Sequence, residues 1–341
     1  MLTIGITTHD RIEDLKRMAR SLYKSNLSIP YNISIYDDAS TEFDSIFLKK
    51  IFKNANVIHR NSKIVGADRN SYLMYQNFLQ SDDEFFFNAD SDLIFRKDWL
   101  EKGMNLLKET DGILTLFNSS MLSGINTLGN VIEKKRVGAA GVLMTRKIVE
   151  TIMSNFDYYS INGKVPQFDM KWCDILNENN IKIYSVCKSL VQHIGLAGQN
   201  SNFNFFEYGI GFEVDSKYQG QIFNDLLLNI STSRFKPNYS VFPFDEIPKN
   251  SNVIIYGYGI AGINYVKQVQ ATKYCNIKCI VDKNWNLLRD DVKSPRLINE
   301  VSFDYIVIAT VLKETALSIK KNIMSINGSI KEKQIIIGNV I

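Results

Sequence analysis

A chain of 341 residues with 45% hydrophobic composition has material for two cores, since single domains usually hold about 100–200 residues. A formal charge of only +4, with no basic cluster interleaved with aromatics, excludes a nucleic-acid-binding class, and no run of about eighteen apolar residues provides for a membrane-spanning helix. Four cysteines, Cys173, Cys187, Cys275 and Cys279, without CxxC spacing, exclude a disulfide framework and predict buried free thiols.

The sequence starts directly on a strand-like run, residues 2–7, without a basic-then-apolar leader, which predicts an unsecreted, cytoplasmic chain. Ile12, Leu15, Met18, Ala19 and Leu22 then recur at helical spacing. A second strand is predicted at 32–36, a helix at 46–52, a short strand at 56–59 and a strong helix at 67–79. Residues 84–88 are predicted as a strand whose apolar centre, Phe85-Phe86-Phe87, suits burial on both faces. Strands at 112–117 and 139–144, helices at 146–156 and 169–179, and a strand at 182–186 continue the alternation. Alternating strands and helices predict the α/β class. Residues 200–250, rich in Asn, Phe, Tyr and Ser and carrying Pro237, Pro243 and Pro248, break the rhythm and predict a connection. Strands at 252–256, 278–281, 305–309 and 334–337 predict a second, smaller α/β unit. The expected division is therefore 1–205, a connecting segment 206–249, and 250–341. Residues 248–341 hold 13 Lys/Arg against 7 Asp/Glu, leaving 27 against 29 before them. That basic module is compatible with peripheral association at the inner face of a cell membrane, although a solvated surface is the default.

The most informative segment is Phe85-Phe86-Phe87-Asn88-Ala89-Asp90-Ser91-Asp92, where an apolar strand delivers two carboxylates at its C-terminal end. Open α/β sheets bind ligands in that crevice. Asp-x-Asp there can hold one hard divalent cation and leave its other positions to water or to a diphosphate. The cation would neutralise the charge growing on a departing nucleoside diphosphate.

In this context the motifs resemble those of the family 2 glycosyltransferases, over about residues 1–205. Thr3-Ile4-Gly5-Ile6-Thr7-Thr8-His9-Asp10-Arg11 resembles the family's first strand and nucleotide turn. Ile35-Tyr36-Asp37-Asp38-Ala39-Ser40 resembles its second strand, with terminal acids at the base. Asn61 through Gly66 to Arg69-Asn70 resembles its diphosphate turn and helix start, with Asp68 standing where the family has alanine. The resemblance implies a GT-A type domain with a mixed, mostly parallel sheet. It places Thr7, Thr8, Arg11, Asp37, Asp38, Gly66, Arg69, Asp90 and Ser91 on the nucleotide-sugar, and Asp92, His193 and Asp90 on Mn2+ or Mg2+. His193, in Val191-Gln192-His193-Ile194-Gly195, sits where the family has a histidine on the metal or diphosphate, and an imidazole softly favours manganese. His9 and His59 are less specific.

An inverting transfer needs a carboxylate that takes the proton from the acceptor hydroxyl. Gln167-Phe168-Asp169-Met170-Lys171-Trp172-Cys173-Asp174 resembles the family's helix start carrying that base, which makes Asp169 the candidate and Asp174 the alternative. Asn180 stands where the family closes this helix with glycine. Trp99 falls at the interval of the family's acceptor-side aromatic and equally fits a core, and Gly138 to Gly141 reads as a close approach of strand to substrate.

In the second unit, Gly257-Tyr258-Gly259-Ile260-Ala261-Gly262 follows a strand and opens a helix, and Asp282 lies 20 residues beyond Gly262. This is the dinucleotide-binding fingerprint in its required context, with Gly257, Gly259, Gly262 and Asp282 as its site. No histidine follows residue 193, which argues against a dehydrogenase. The unit resembles small Rossmann-like modules appended to sugar- and methyl-transfer enzymes, where assembly into a homo-oligomer or regulation is the more frequent role.

The expectation is thus a metal-dependent inverting transfer from a nucleotide-sugar, with UDP as the expected nucleotide, to a hydroxyl of a surface glycan or lipid-linked glycan. An Asn-, Lys- and Ile-rich composition points to a bacterial source. A non-catalytic nucleotide-sugar sensor is one rival. A nucleotidyltransferase is another, disfavoured because residues 7–11 lack a Gly- and Arg/Lys-rich loop.

Overall fold

The computed structural model describes residues 1–119, 122–157, 168–194, 207, 209–213, 242–244 and 246–338. The expected connecting segment lies largely outside the described residues, as does Gln167. Two compact units are present, one built on Met1–Gly195 and the other reaching Ile341. Among the described residues no helix is long and apolar enough to cross a membrane.

The first unit runs β1 (Leu2–Thr8), α1 (Ile12–Lys24), β2 (Tyr31–Asp37), α2 (Ser45–Ile51), β3 (Ala55–Arg60), α3 (Ala67–Phe78) and β4 (Phe85–Asp90). It continues with β5 (Leu93–Phe95), α4 (Trp99–Leu107), β6 (Ile113–Thr115), β7 (Gly124–Leu128), β8 (Val131–Lys134), β9 (Val142–Thr145), α5 (Arg146–Asn155), α6 (Phe168–Glu178), β10 (Ile183–Val186) and β11 (Val191–His193). Nine strands form one sheet in the order β3-β2-β1-β4-β9-β6-β10-β8-β7. The pairs among β3, β2, β1 and β4 are parallel, as is β6 with β10, whereas β9 runs antiparallel to both β4 and β6.

The apolar residues of β1 and β4 point to both faces, so each face needs a helical cover. Leu15, Met18 and Leu22 of α1, Leu48 of α2 and Trp99 and Leu100 of α4 cover one. Met74, Tyr75 and Phe78 of α3, Ile148 and Ile152 of α5 and Trp172 and Leu176 of α6 cover the other. Gly5 permits the approach of α3, because a Cβ there would meet Met74 Sδ at 2.6 Å and the Phe86 ring at 2.8 Å. Register aligns the C-terminal ends of the parallel strands, with Thr8 opposite Asp37 and Thr7 opposite Asp90. The residues expected at the nucleotide thus share one sheet edge.

Trp99 is core. It is fully buried, its ring centroid lies 4.6 Å from that of Phe87 and 4.9 Å from that of Phe95, and its Nε1–H donates to Ser25 Oγ at 2.9 Å. The acceptor-side reading is corrected, since no part of the ring is offered to a substrate. Trp99→Ala is expected to cost about 3–5 kcal/mol, the range for large aromatic truncations. Urea unfolding of the whole chain against wild type checks it.

The second unit contains β12 (Asn252–Tyr256), α7 (Ile260–Thr272), β13 (Asn276–Val281), β14 (Val292–Lys293), β15 (Tyr305–Ile308), α8 (Lys313–Ile326) and β16 (Ile335–Ile337). Its five strands are all parallel, ordered β14-β13-β12-β15-β16, around a core that includes Ile254, Val281, Ile306, Ile308 and Ile323. Phe242 and Phe244 pack edge-on against Tyr265 and Tyr274.

Candidate active site

Beyond β4 the chain turns at Ser91, whose backbone N–H donates to Thr7 O at 3.1 Å, and reverses into β5. This turn places Asp90 at the mouth of the edge and carries Asp92 inward, to 2% exposure. His193 arrives from far along the chain because β11 pairs antiparallel with β5, setting His193 opposite Leu93. The Ile194 N–H donates to Asp92 O at 2.8 Å and pins the same register. Gly141 makes room for β11. It has φ +76°, and a Cβ there would lie 2.7 Å from Val191 Cγ2. The close approach expected around Gly138 to Gly141 is therefore made by a strand of the protein at Gly141, while Gly138 faces open space.

Asp90, Asp92 and His193 each offer a ligand atom, all within 4.8 Å of one another. His193 Nε2 lies 3.1 Å from Asp92 Oδ1, yet without hydrogen-bond alignment, so Oδ1 is buried and lacks a hydrogen-bond partner among the described residues. On the other side Arg11 Nη1 donates to Asp92 Oδ2 at 2.6 Å. A buried carboxylate oxygen beside an imidazole and a second carboxylate is a donor set that suits a borderline divalent cation. Burial would raise the Asp92 carboxyl, but His193 and Arg11 reverse this and hold it well below the usual range. Asp90 goes the other way, raised by burial and by the Asp92 charge. His193 is raised despite burial because Asp92 and Asp90 favour its cation. The two neighbouring carboxylates thus shift in opposite directions, Asp90 through burial and its neighbour's charge and Asp92 through its cationic partners.

Arg11 reaches Asp92 from an unusual backbone. Asp10 and Arg11 have φ of 50° and 56°, a left-handed conformation that costs about 1–3 kcal/mol per non-glycine residue and needs outside support. Here the Asp10 carboxylate accepts the Thr41 and Glu42 N–H groups at 2.6 and 3.0 Å, Ser40 Oγ accepts the Asp10 N–H at 2.8 Å, and Glu42 accepts the Ile12 N–H at 2.8 Å. Asp14, one turn along α1, is raised by burial and by the Asp92 charge, and pairs with Arg17 at 3.0 Å. Its nearness to the acidic pair escaped the sequence reading, although its spacing of three from Arg11 on one helix face is the available signal.

The nucleotide-side residues are gathered but differ in how free they are. Asp38 accepts the Val65 and Gly66 N–H groups, both at 2.8 Å, and the Asn61 Nδ2–H at 3.0 Å, so its carboxylate builds the turn into α3. Asp37 is fully buried, hydrogen-bonded to Ser40 and 3.3 Å from Arg60 Nη1, and its Oδ2 finds no hydrogen-bond partner among the described residues. Thr8 Oγ1 is buried and similarly unsatisfied, whereas Thr7 Oγ1 donates to Asp90 at 3.4 Å. Gly66, with φ +92°, begins α3, and Arg69 stands exposed in its first turn. His9 Nδ1 lies 2.7 Å from Asp38 O, and His59 pairs with Asn61.

Asp169 stands in the first turn of α6, and its charge acts on Asp90. Its carboxyl is raised by burial and by the nearby Asp68 charge, against the N–H groups of Met170 and Ala139. Asp174 is engaged elsewhere: Arg136 holds it through three hydrogen bonds at 2.9, 3.0 and 3.3 Å, and its side chain is 45% exposed. Asn180 ends the helix with φ 57°, the left-handed position glycine usually fills.

In the second unit the fingerprint residues are largely explained by packing. Gly257 has φ +107° and a Cβ there would meet Ala309 O at 2.6 Å, while one on Gly262 would meet Gly257 O at 2.0 Å. Asp282 accepts the Tyr258 and Asn284 N–H groups, both at 2.8 Å. Gly259 alone of the three glycines faces open space.

Residues 3–121 match the family model described as glycosyl transferase family 2. Comparison with curated proteins returns no match. Among solved structures the chain is similar to the 1–349 segment of S. aureus TarS, with 12% identity and a TM-score of 0.41 over 69% of this chain and 66% of that one. The same segment in complex with UDP-GlcNAc gives 13% and 0.43, over 69% and 68%. GalNAc-T7 with UDP, GalNAc and Mn2+ gives 10% and 0.46, over 55% of this chain and 42% of that one. The chain therefore spans less than two thirds of the first and third of these. The matched residues, 3–121, carry Arg11 and the Asp90–Asp92 pair.

Proposed function

We propose that the first unit transfers a sugar from a nucleoside diphosphate donor, UDP-linked, to a hydroxyl of a surface glycan or lipid-linked glycan, with inversion and with a divalent metal. The observation that carries this reading is the convergence of Asp90, Asp92 and His193 on one point of the sheet edge, with Asp169 in electrostatic reach. Asp92 and His193, with Asp90, would hold Mn2+ or Mg2+, whose role is to stabilise the charge on the departing diphosphate. Asp37, ion-paired with Arg60, and the buried, unsatisfied Thr8 hydroxyl stand where a base and ribose would lie. Asp169 takes the proton of the attacking hydroxyl, a role suited to a carboxylate whose proton affinity is raised by burial.

Screening UDP-, GDP- and TDP-sugars for Mn2+-dependent thermal shift tests the donor. A ligand at 100 times its Kd stabilises by about 2.7 kcal/mol, readily seen as a raised Tm. No shift with any nucleotide-sugar would overturn the reading. Arg11 supplies a second test, because it holds the Asp92 oxygen a metal needs. Arg11→Ala is expected to tighten Mn2+ binding measured without nucleotide, by about tenfold for the loss of one charge-assisted hydrogen bond of about 1.5 kcal/mol. Calorimetric titration with Mn2+ alone checks it.

A further inference from the structure

Asp68 occupies the first turn of α3, two residues beyond Gly66. Its Oδ1 accepts the Phe168 N–H at 3.2 Å, a contact between residues 100 apart in sequence that ties α3 to the first described residue of α6. The Phe168 side chain is fixed from the same helix, its ring centroid 5.0 Å from that of Tyr75 and 6.2 Å from that of Tyr72, both edge-on. Meanwhile the Gly66 N–H, at the head of α3, is tied to Asp38. One helix therefore sets both the turn expected at the diphosphate and the first turn of the helix that carries Asp169.

We propose that Asp68 is a positioning residue for the transfer, holding the first described turn of α6 from across the fold and bringing its carboxylate within reach of that of Asp169. The proposal rests on the reading of Asp169 as the base. Among the described residues, the groups that act on the Asp169 carboxyl include Asp68 from α3 and the N–H groups of Met170 and Ala139, and its own charge bears on Tyr75 of α3, Asp90 of β4 and Cys173 of α6. Burial raises the Asp169 carboxyl most, and Asp68 raises it further. A base acts only when unprotonated, so a raised value sets the acid limb of the rate profile at higher pH and makes the anion a stronger proton acceptor. Removing the Asp68 charge must move that limb to lower pH.

The test is the titration of Asp169 in the full chain, followed by the carboxyl carbon of carbon-13-labelled aspartate and assigned by the signal lost in Asp169→Asn. Asp68→Asn keeps an acceptor oxygen for the Phe168 N–H and removes the charge. Its Asp169 midpoint is expected to fall. The acid limb of UDP release, with Mn2+, water as acceptor and the UDP-sugar giving the largest thermal shift, is expected to move down in pH at unchanged KM. Asp68→Ala, lacking the acceptor as well, should show the same shift and lose a further 10–100-fold or so in kcat, the scale of a misplacement of about 1 Å. Should the Asn variant fail to fold, Asp68→Ser provides a neutral acceptor for the same two readouts. An unmoved midpoint and limb in the folded variant would overturn the proposal and leave Asp68 a tie between α3 and α6 only. If Asp169→Asn itself releases UDP like wild type, the base reading falls and the proposal falls with it. If Asp169→Asn is inactive while the Asp68→Asn limb stays in place, the proposal alone fails.

Discussion

Asp92→Asn is expected to lower Mn2+ affinity by more than the 10–100-fold typical of residues behind a metal's own ligands, and transfer by about 10²–10⁴-fold. The larger figure is the rate equivalent of the several kcal/mol a Lewis acid contributes to leaving-group departure. The substitution keeps the shape and removes the charge on which three groups depend. Arg11 and His193 both pair with Asp92, and the Asp90 carboxyl is raised in part by its charge. Without that charge His193 loses the partner that favours its cation, so its raised proton affinity should fall as well. Mn2+ titration and UDP release measured on one preparation separate lost metal binding from a lost fold, which a thermal melt without metal controls. Asn at position 92 binding Mn2+ as tightly as the wild type would remove this residue from the metal site.

Asp169→Asn is expected to behave differently: donor and Mn2+ binding near wild type, with kcat down by about 10²–10⁴-fold, the usual contribution of a positioned base. The reason lies in where Asp169 sits. It acts on Asp90 through space and takes no part in the Asp90, Asp92 and His193 cluster, so a neutral isostere leaves the cluster intact. Asp174→Asn provides the contrast. It breaks an exposed, solvent-screened ion pair with Arg136 and is expected to leave kcat within about threefold. Normal transfer by Asp169→Asn together with loss in Asp174→Asn would reverse the assignment. The kcat and KM split in donor kinetics distinguishes the two patterns.

Much of the fold is legible in the sequence because long strands and helices declare themselves by hydrophobic period. β1 and β2 alternate apolar residues with polar or small ones, β4 opens on three phenylalanines, and the five leading apolar positions of α1 repeat on one face. The elements that were missed have no such pattern. β7 is exposed along its whole length, so its pairing with β8 leaves no trace in apolar spacing. β5 and β11 are three residues each, too short for a period, yet they bring His193 to Asp92. α4 is obscured because Trp99 at its start reads equally well as a ligand-side aromatic.

The candidate site divides along the same physical line. Asp90 and Asp92 can be read from a strand end, since local sequence delivers them together. What each carboxylate is bonded to depends on contacts between distant residues. Asp38 and Asp37 carry the same charge side by side, but one is fully engaged by the Val65, Gly66 and Asn61 donors and the other is ion-paired with Arg60. Asp68 departs from the family's alanine, and only its contact with the Phe168 N–H, 100 residues away, explains what the extra carboxylate does. Likewise the fingerprint glycines of the second unit are accounted for chiefly by the approach of Ala309 and by packing within the turn itself.

Diffraction at the manganese edge from crystals grown with Mn2+ and a UDP-sugar bears most directly on the central claim. One anomalous peak is expected, in contact with Asp92 and His193 and shared with the donor's two phosphates, with Arg11 withdrawn from Asp92. Manganese and phosphates bound at another part of the chain, with the Arg11–Asp92 pair still closed, would contradict it.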